Sequence, residues 1–216
     1  MQANNQQLQS RWQKLFSHIP EKVSAEYFNS LSNKYSEPHR HYHNLEHIAQ
    51  TLIAMDEITA IAEYPFTIEC ALWFHDCIYD TASKTNEADS ADYAVKVLEN
   101  LSVKKADIEI IANYIMATCH PANPQTNDEK LIHDIDLSLL ATGDDDQLLN
   151  YERKIRREYF QYSDNDYIHG RVGVLDGFLQ CEYIYQSQYF REKYELSARK
   201  NILLLKEQLL TFGVIS

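Results

Sequence analysis

Helical periodicity is the sequence feature that most limits what this chain can form. Apolar residues recur three and four positions apart in segments such as 8–16, 48–58 and 196–210, as they do on the buried face of a helix. Glycine and proline number only five each among 216 residues, too few for the many tight turns of a β-sandwich or barrel. No segment has the alternation typical of a strand. The sequence therefore predicts an all-α fold built as one domain over residues 1–216.

Composition narrows the class of partner and the compartment. The formal net charge is −12, which disfavours nonspecific binding to nucleic-acid polymers and to anionic membrane surfaces. No apolar run approaches the about 18 residues that a membrane-spanning helix needs. The N-terminus lacks the apolar segment of a secretory signal, and the four cysteines show no C-x-x-C spacing. We therefore expect a cytoplasmic protein with reduced thiols, and neither a nucleic-acid polymer nor a membrane as partner.

Histidine is concentrated in one short window. Four of the nine histidines lie within 39–47. His43 and His47 are four residues apart and share one face if their helix begins near Tyr42, as the pattern indicates. With Glu46 they match the H-x-x-E-H pattern of inverzincin peptidases, in which both histidines bind zinc and the glutamate is the general base. A zinc peptidase is therefore one alternative, and it would need a third ligand on a later helix.

A second motif, His75-Asp76, follows the apolar stretch 68–74. A polar pair next to Trp73 and Phe74 is costly to bury without a partner, and a metal ion is such a partner. Imidazole with carboxylate suits zinc, iron, manganese or nickel better than calcium. The zinc peptidase alternative leaves this motif unexplained.

A third segment, 133–140, adds carboxylates. Ile135 and Leu139 are expected to face the core of a helical fold. Asp136 lies between their directions, so its side chain is expected to project inward. Asp134 is the alternative ligand from the same segment.

Taken in order, these motifs resemble the H…HD…D signature of the HD-domain superfamily of metal-dependent phosphohydrolases. The likeness is closer to one small bacterial group of predicted HD phosphohydrolases, and it extends over residues 8–210. Its hallmarks in this sequence are Arg-His-Tyr-His-Asn-Leu-Glu-His-Ile at 40–48, Trp-Phe-His-Asp-Cys-Ile-Tyr-Asp at 73–80, and the segments 86–91, 118–120, 134–137 and 155–159. The resemblance implies a single-domain HD-type helical bundle.

The resemblance also implies a chemistry. The enzyme would hydrolyse a phosphate ester of a small metabolite or nucleotide, as a phosphomonoesterase or nucleotidase. It would hold one divalent ion per chain. The candidates for this ion are manganese, magnesium, zinc, iron, nickel and cobalt. Two histidines and two aspartates leave open positions on the ion for water and a phosphate oxygen. The implied metal ligands are His47, His75, Asp76 and Asp136.

Four further side chains are candidates for roles in catalysis. His43 is expected to hydrogen-bond a metal ligand or the substrate. Arg40 is either a bidentate phosphate clamp or a solvated arginine at a helix start. Glu87 is either the general base or a carboxylate that interacts with a helix dipole. The same two alternatives apply to Asp80.

The number of metal ions and the activity each leave alternatives. Some HD proteins hold a second metal through additional histidines located where His120 lies in this sequence. Only His133 is available as a further ligand, so one ion is favoured, with His120 facing the substrate or hydrogen-bonding a ligand. A di-iron HD oxygenase, and a metal- or nucleotide-binding sensor without turnover, are alternative functions. The oligomeric state stays open, with a homodimer among the alternatives.

Overall fold

The chain is helical throughout the part described by the computed structural model, residues 2–119 and 123–214, with side chains from residue 5 onward. No strand occurs in these two ranges, so the all-α prediction is confirmed. The elements there are α1 (Gln2–Leu15), α2 (Glu21–Lys34), α3 (Leu45–Ile58), α4 (Pro65–Phe74), α5 (Asn86–Asn100), α6 (Lys105–Met116), α7 (Asn127–Asp136), a 3₁₀ turn (Leu137–Ala141), α8 (Asp145–Glu158), α9 (Asp164–Gln180) and α10 (Gln188–Phe212). None of these helices is long and apolar enough to cross a membrane.

The chain divides into two compact units, Met1–Ile132 and His133–Ser216. The division falls inside α7, which is one continuous helix. The prediction of a single domain stays a prediction.

Helix α4 is the centre of the first unit. It packs against α3, α5 and α6. A helix that is apolar all round has to be buried on every side, and from residue 67 onward no α4 residue except Glu69 is more than 2% exposed. Trp73 of α4 meets Trp12 of α1 edge-on, with ring centroids 5.4 Å apart. His75, the residue that directly follows α4, is likewise buried, at 1% exposed.

Helix α3 begins later than the sequence indicated. Asn44 has an extended backbone, and its side chain accepts a hydrogen bond of 2.8 Å from the Glu46 amide, so it is the N-cap. The predicted start near Tyr42 is therefore wrong. His43 precedes the helix, whereas His47 lies in its first turn.

Helix α7 is tied to the start of α4 by a buried carboxylate. Asp128, 1% exposed, accepts hydrogen bonds from the amides of Glu63 and Tyr64 at 2.9 and 2.7 Å. These amides precede α4, where backbone N–H groups have no partner within the helix. Each of the two helices has ten residues, a length of about 15 Å. This contact fixes where α7 begins relative to α4.

In the second unit, α10 packs against α8, α9 and the 3₁₀ turn. Asn201 of α10 donates to the carbonyls of Leu140 and Thr142, both at 2.8 Å. The buried apolar face of α10 includes Ile202, Leu205 and Leu209. The heptad-spaced leucines are on the other side and are exposed: Leu196, Leu203 and Leu210.

Candidate metal centre

The end of α4 positions the first candidate ligand. His75 caps the C-terminus of the helix, and its amide donates to the carbonyl of Ala71 at 2.9 Å. Its ring Nδ1 lies 3.0 Å from the carbonyl oxygen of Leu72. Because a carbonyl oxygen only accepts, this contact places the proton on Nδ1 and leaves the lone pair on Nε2. The His75 ring is thus oriented as a metal-binding imidazole usually is.

Three ligand atoms, one of them from His75, lie close together. The Nε2 atom of His75 lies 3.1 Å from His47 Nε2 and 3.1 Å from Asp76 Oδ2. His47 Nε2 lies 3.5 Å from the same carboxylate oxygen. Both histidine side chains are at most 2% exposed, whereas the Asp76 side chain is 18% exposed. The cluster is therefore buried on the histidine side and accessible on the aspartate side.

These separations fit one shared cation. Two atoms bonded to one ion at about 2.1 Å stand about 3.0 Å apart at a right angle and about 3.4 Å apart at a tetrahedral angle. The observed separations of 3.1, 3.1 and 3.5 Å cover this interval. A donor set of imidazole and carboxylate suits first-row divalent metals.

Asp136 completes the predicted set. It is the last residue of α7 and is half-buried. One ligand atom from each of His47, His75, Asp76 and Asp136 lies within 4.8 Å of the others. The four residues that the resemblance singles out thus form a group that can hold a metal ion.

Asp134, the alternative ligand, accepts hydrogen bonds from the start of another helix. Its side chain is fully buried and lies within the second unit. One carboxylate oxygen accepts from the Gln186 amide at 2.7 Å, and the other accepts from the Ser187 amide and hydroxyl at 2.7 and 2.6 Å. These donors stand at the beginning of α10, so Asp134 stabilises that helix start. His133, a candidate ligand for a second ion, lies 3.2 Å from Asp134 through Nδ1.

Arg40 is buried rather than solvated. Its side chain is 0% exposed, so the alternative of a solvated arginine is wrong. Its Nε donates to the Glu37 carboxylate at 2.9 Å. Its two terminal nitrogens donate to the main-chain carbonyls of His43, Asp76 and Cys77. Four of the five N–H donors of this guanidinium are therefore used within the protein, and the predicted phosphate clamp stays a prediction that this geometry disfavours.

His43 and Glu46 do not form the helical H-x-x-E-H face with His47. His43 lies before α3, half-buried, with its ring 4.3 Å from Tyr79 and 5.9 Å from the ring of His47. Glu46 is exposed in the first turn of α3. His43 is not among the four grouped ligands. The zinc peptidase alternative thereby loses the shared helical face on which it depended.

Asp80 and Glu87 lie outside the four-residue group. Asp80 is exposed, and its carboxylate accepts from the Ala82 amide at 2.9 Å. The Asn86 side chain bonds both the amide and the carbonyl of Asp80, which closes this loop. Glu87 is half-buried in the first turn of α5. The catalytic role predicted for either carboxylate stays a prediction.

Several contributors to the site gave no signal in the sequence. Leu72 and Cys77 act through main-chain carbonyls, which any residue type supplies. Glu37 stands three residues before Arg40 but in a turn rather than on a helix, so the i, i+3 spacing rule of helices did not apply to this pair. His120, on which the question of a second ion depends, lies outside the described residues.

Comparison of the chain with protein-family models, with curated proteins and with solved structures gives no match. The metal-binding assignment therefore rests on the geometry of the site.

Proposed function

We propose that this protein is a metal-dependent phosphohydrolase of the HD type, which acts on a small phosphorylated metabolite or nucleotide with one divalent ion per chain. The observation that carries the proposal is the convergence of His47, His75 and Asp76, with Nε2 and Oδ2 atoms 3.1–3.5 Å apart. Asp136 is the fourth ligand. The order of these residues along the chain is the order that the superfamily resemblance requires.

The protein groups divide the work. Leu72 orients the ring of His75, and burial keeps bulk water from the histidine side of the site. The exposed edge of Asp76 marks the side from which a substrate would approach. When bound, a divalent ion supplies Lewis-acid activation of water and of a phosphate oxygen.

Charge balance supports an anionic substrate despite the acidic chain. The net charge of −12 disfavours approach of a phosphate to the protein surface in general. At the site, a divalent ion would cancel the charge of the Asp76 and Asp136 carboxylates, which would otherwise repel a phosphate. The open coordination positions of the ion would then let a phosphate oxygen bind to it directly.

The decisive experiment combines metal content with a substrate panel. Purified wild-type protein and the Asp76→Ala variant are loaded with manganese, cobalt, zinc, iron, nickel or magnesium. Each form is then assayed on phosphomonoesters, phosphodiesters and nucleotides. We expect wild-type protein to bind about one ion and release phosphate, and Asp76→Ala to do neither. Full phosphatase activity in Asp76→Ala would overturn the proposal.

The same experiment separates the alternatives. Tight nucleotide binding without phosphate release would identify a sensor. Two irons per chain with oxygen consumption would identify an oxygenase. Loss of metal in the His43→Ala variant would favour the zinc peptidase, because only in that enzyme is His43 a metal ligand.

The general base is assigned by comparing Glu87→Gln with Asp80→Asn in the metal-loaded enzyme. Loss of a general base lowers kcat by about 10²- to 10⁴-fold. We expect Glu87→Gln to have that effect, whereas Asp80→Asn keeps an oxygen acceptor for the Ala82 amide and should leave kcat near the wild-type value. The reverse pattern would assign the base to Asp80.

A further inference from the structure

The side chain of Arg40 connects two segments that carry metal ligands. Its Nη1 donates to the carbonyl of His43 at 3.0 Å and to the carbonyl of Asp76 at 2.6 Å. Its Nη2 donates to the carbonyl of Cys77 at 3.1 Å. The first carbonyl belongs to the segment that leads into α3, and the other two belong to the turn after α4. One guanidinium thus bonds the main chain on both sides of the cluster.

The surroundings of Arg40 hold the guanidinium in one orientation. Its Cζ lies 5.3 Å from the centroid of the Tyr35 ring and 5.4 Å from that of the Tyr79 ring, distances at which a cation is attracted to an aromatic face. The Tyr35 hydroxyl in turn donates to the carbonyl of Trp73 at 3.0 Å. Glu37 balances the charge of Arg40 through Nε.

The turn that Arg40 holds is the one that directs the Asp76 carboxylate. Asp76 lies beyond the last residue of α4. Its carbonyl and that of Cys77 follow a helix C-terminus, where carbonyl groups lack intrahelical partners and carry partial negative charge. The bond to the Asp76 carbonyl restricts the backbone at the Cα from which the Asp76 carboxylate projects.

We propose that Arg40 is a positioning residue for the metal centre, which sets metal affinity by fixing the main chain of Asp76 and Cys77 against the segment before α3. This inference rests on the proposed metal-dependent function. It replaces the phosphate-clamp role, because the donors of Arg40 point at main-chain carbonyls of the protein. Lysine cannot substitute, since an ammonium group lacks the rigid planar fork that reaches several acceptors at once.

Arg11 supplies a matched control. It is a second arginine of the first unit that combines carboxylate and carbonyl partners, namely Glu69, Asp56 and the carbonyl of Leu52. These contacts join α1 to α3 and α4, the helices that carry metal ligands. They touch none of the grouped ligands. Arg11→Lys therefore disturbs the packing of the same helices and leaves the turn after α4 in place.

The test measures cobalt affinity and apo-protein stability in the two lysine variants. Metal-free wild type, Arg40→Lys and Arg11→Lys are titrated with Co²⁺, whose visible absorption reports the coordination of the ion, and are unfolded thermally without metal. We expect Arg40→Lys to weaken cobalt binding by about 10- to 100-fold, the range for residues that orient metal ligands, and to change the absorption spectrum. Arg11→Lys should lower the melting temperature but keep the wild-type cobalt Kd and spectrum.

Three results would overturn the inference. The first is Arg40→Lys with the wild-type cobalt Kd and spectrum, whatever its melting temperature. The second is an unchanged cobalt Kd with weaker inhibition by inorganic phosphate, which would restore the phosphate clamp. The third is equal loss of cobalt affinity in both variants, which would make the effect one of general packing. Wild-type protein that binds no divalent ion would instead remove the proposed function itself, and this inference with it.

The Glu37→Gln variant keeps the proposal testable if Arg40→Lys does not fold. The Glu37 side chain is 42% exposed, and it holds only the Nε edge of Arg40. We expect a two- to five-fold rise in cobalt Kd with an unchanged melting temperature. An unchanged cobalt Kd in that variant would overturn the proposal.

Discussion

Two clusters of buried polar side chains, one in each unit, differ in the kinds of atom that they bring together. In the second unit, Glu152 is 0% exposed and accepts from Tyr167 and from Arg171, the latter at 3.0 Å. Arg171 also donates to the Tyr151 hydroxyl at 2.9 Å. In this set the guanidinium of Arg171 faces the carboxylate of Glu152, and the Tyr167 hydroxyl donates to the same carboxylate. We call these four side chains the Glu152 cluster.

The metal centre brings metal-ligand atoms together. His47, His75 and Asp76 direct two ring nitrogens and a carboxylate oxygen at one another, and a carboxylate can only accept when ionised. The guanidinium of Arg40 donates to the main-chain carbonyl of Asp76. Ring nitrogens and a carboxylate oxygen that converge on one point indicate a site for a cation, whereas a buried cation paired with a carboxylate indicates structure. The sequence alone shows charged residues in both places.

The largest expected effect comes from breaking the Glu152 cluster. Glu152→Ala leaves the Arg171 guanidinium buried without its carboxylate, and this should lower the free energy of unfolding by about 3–5 kcal/mol. Urea unfolding of the metal-free protein measures the loss. Glu152→Gln, which keeps one oxygen acceptor for Arg171 and fills the same volume, should lose less. A Glu152→Ala protein as stable as the wild type would contradict the structural role of the cluster.

At the metal centre, the free energy of unfolding should depend on whether an ion is bound. Metal binding to the folded chain should raise the free energy of unfolding by about 4 kcal/mol when the free ion is 1,000 times the Kd. His47→Ala should show no such rise, because one converging nitrogen is lost. Thermal unfolding with and without cobalt measures the difference. Equal stabilisation of His47→Ala and wild type would place the ion elsewhere.

A smaller effect separates the two aspartates of α7. In Asp134→Asn, the amide group faces a backbone N–H at the start of α10, so we expect a loss of about 1–3 kcal/mol in the free energy of unfolding. Metal affinity should be unchanged. Asp136→Asn should show the reverse, with wild-type stability and weaker metal binding. Urea unfolding and cobalt titration of both variants provide the check, and loss of metal in Asp134→Asn alone would exchange their roles.

Alkaline pH should weaken the Glu152 cluster. Burial, followed by the nearby charge of Glu152, raises the pKa of Tyr167 in the folded state above that of the unfolded chain, which is about 10. The folded state thus holds this proton more tightly. Its contribution to stability is complete below about pH 10 and declines as the pH rises further. We expect Tyr167→Phe to flatten the fall in the urea midpoint between about pH 9 and 11; an identical slope in the variant would contradict this origin.

The smallest effect concerns thiol reactivity beside the metal centre. Burial raises the pKa of the Cys77 thiol to about 12, whereas Cys181 is exposed. Since the thiolate is the nucleophile, alkylation at neutral pH should modify Cys181 and leave Cys77 unmodified in the native protein. Peptide mass spectrometry distinguishes the two sites. Rapid labelling of Cys77 would mean that the turn held by Arg40 opens readily.

The sequence predicted most of what depends on side-chain pattern. Apolar residues at 91, 94, 95 and 98 predict a helix from Asn86 to about Leu101, and α5 runs from Asn86 to Asn100. The metal group was predicted because imidazole and carboxylate are the ligands themselves, so residue type carries the chemistry. The order of the motifs selected His47 out of four neighbouring histidines.

What the sequence missed depends on the main chain. Arg40 binds main-chain carbonyl oxygens, which every residue type has. Its position beside the turn after α4 therefore could not be predicted from residue types. The start of α3 was available in principle, because Asn44 before an apolar residue is an N-cap signal. Asp134 and Asp136 stand two apart in one acidic segment, and only the partners at the start of α10 separate their tasks.

Helix α4 is anchored at both of its ends, so its length determines where His75 and Asp76 lie relative to His47. Asp128 holds the amides before its first turn, and Arg40 holds the carbonyls after its last. One residue inserted between these anchors would rotate the C-terminal end of the helix by about 100° and shift it by about 1.5 Å. His75 and Asp76 would then no longer face His47. Insertions and deletions in this helix should therefore be tolerated as poorly as replacement of a metal ligand.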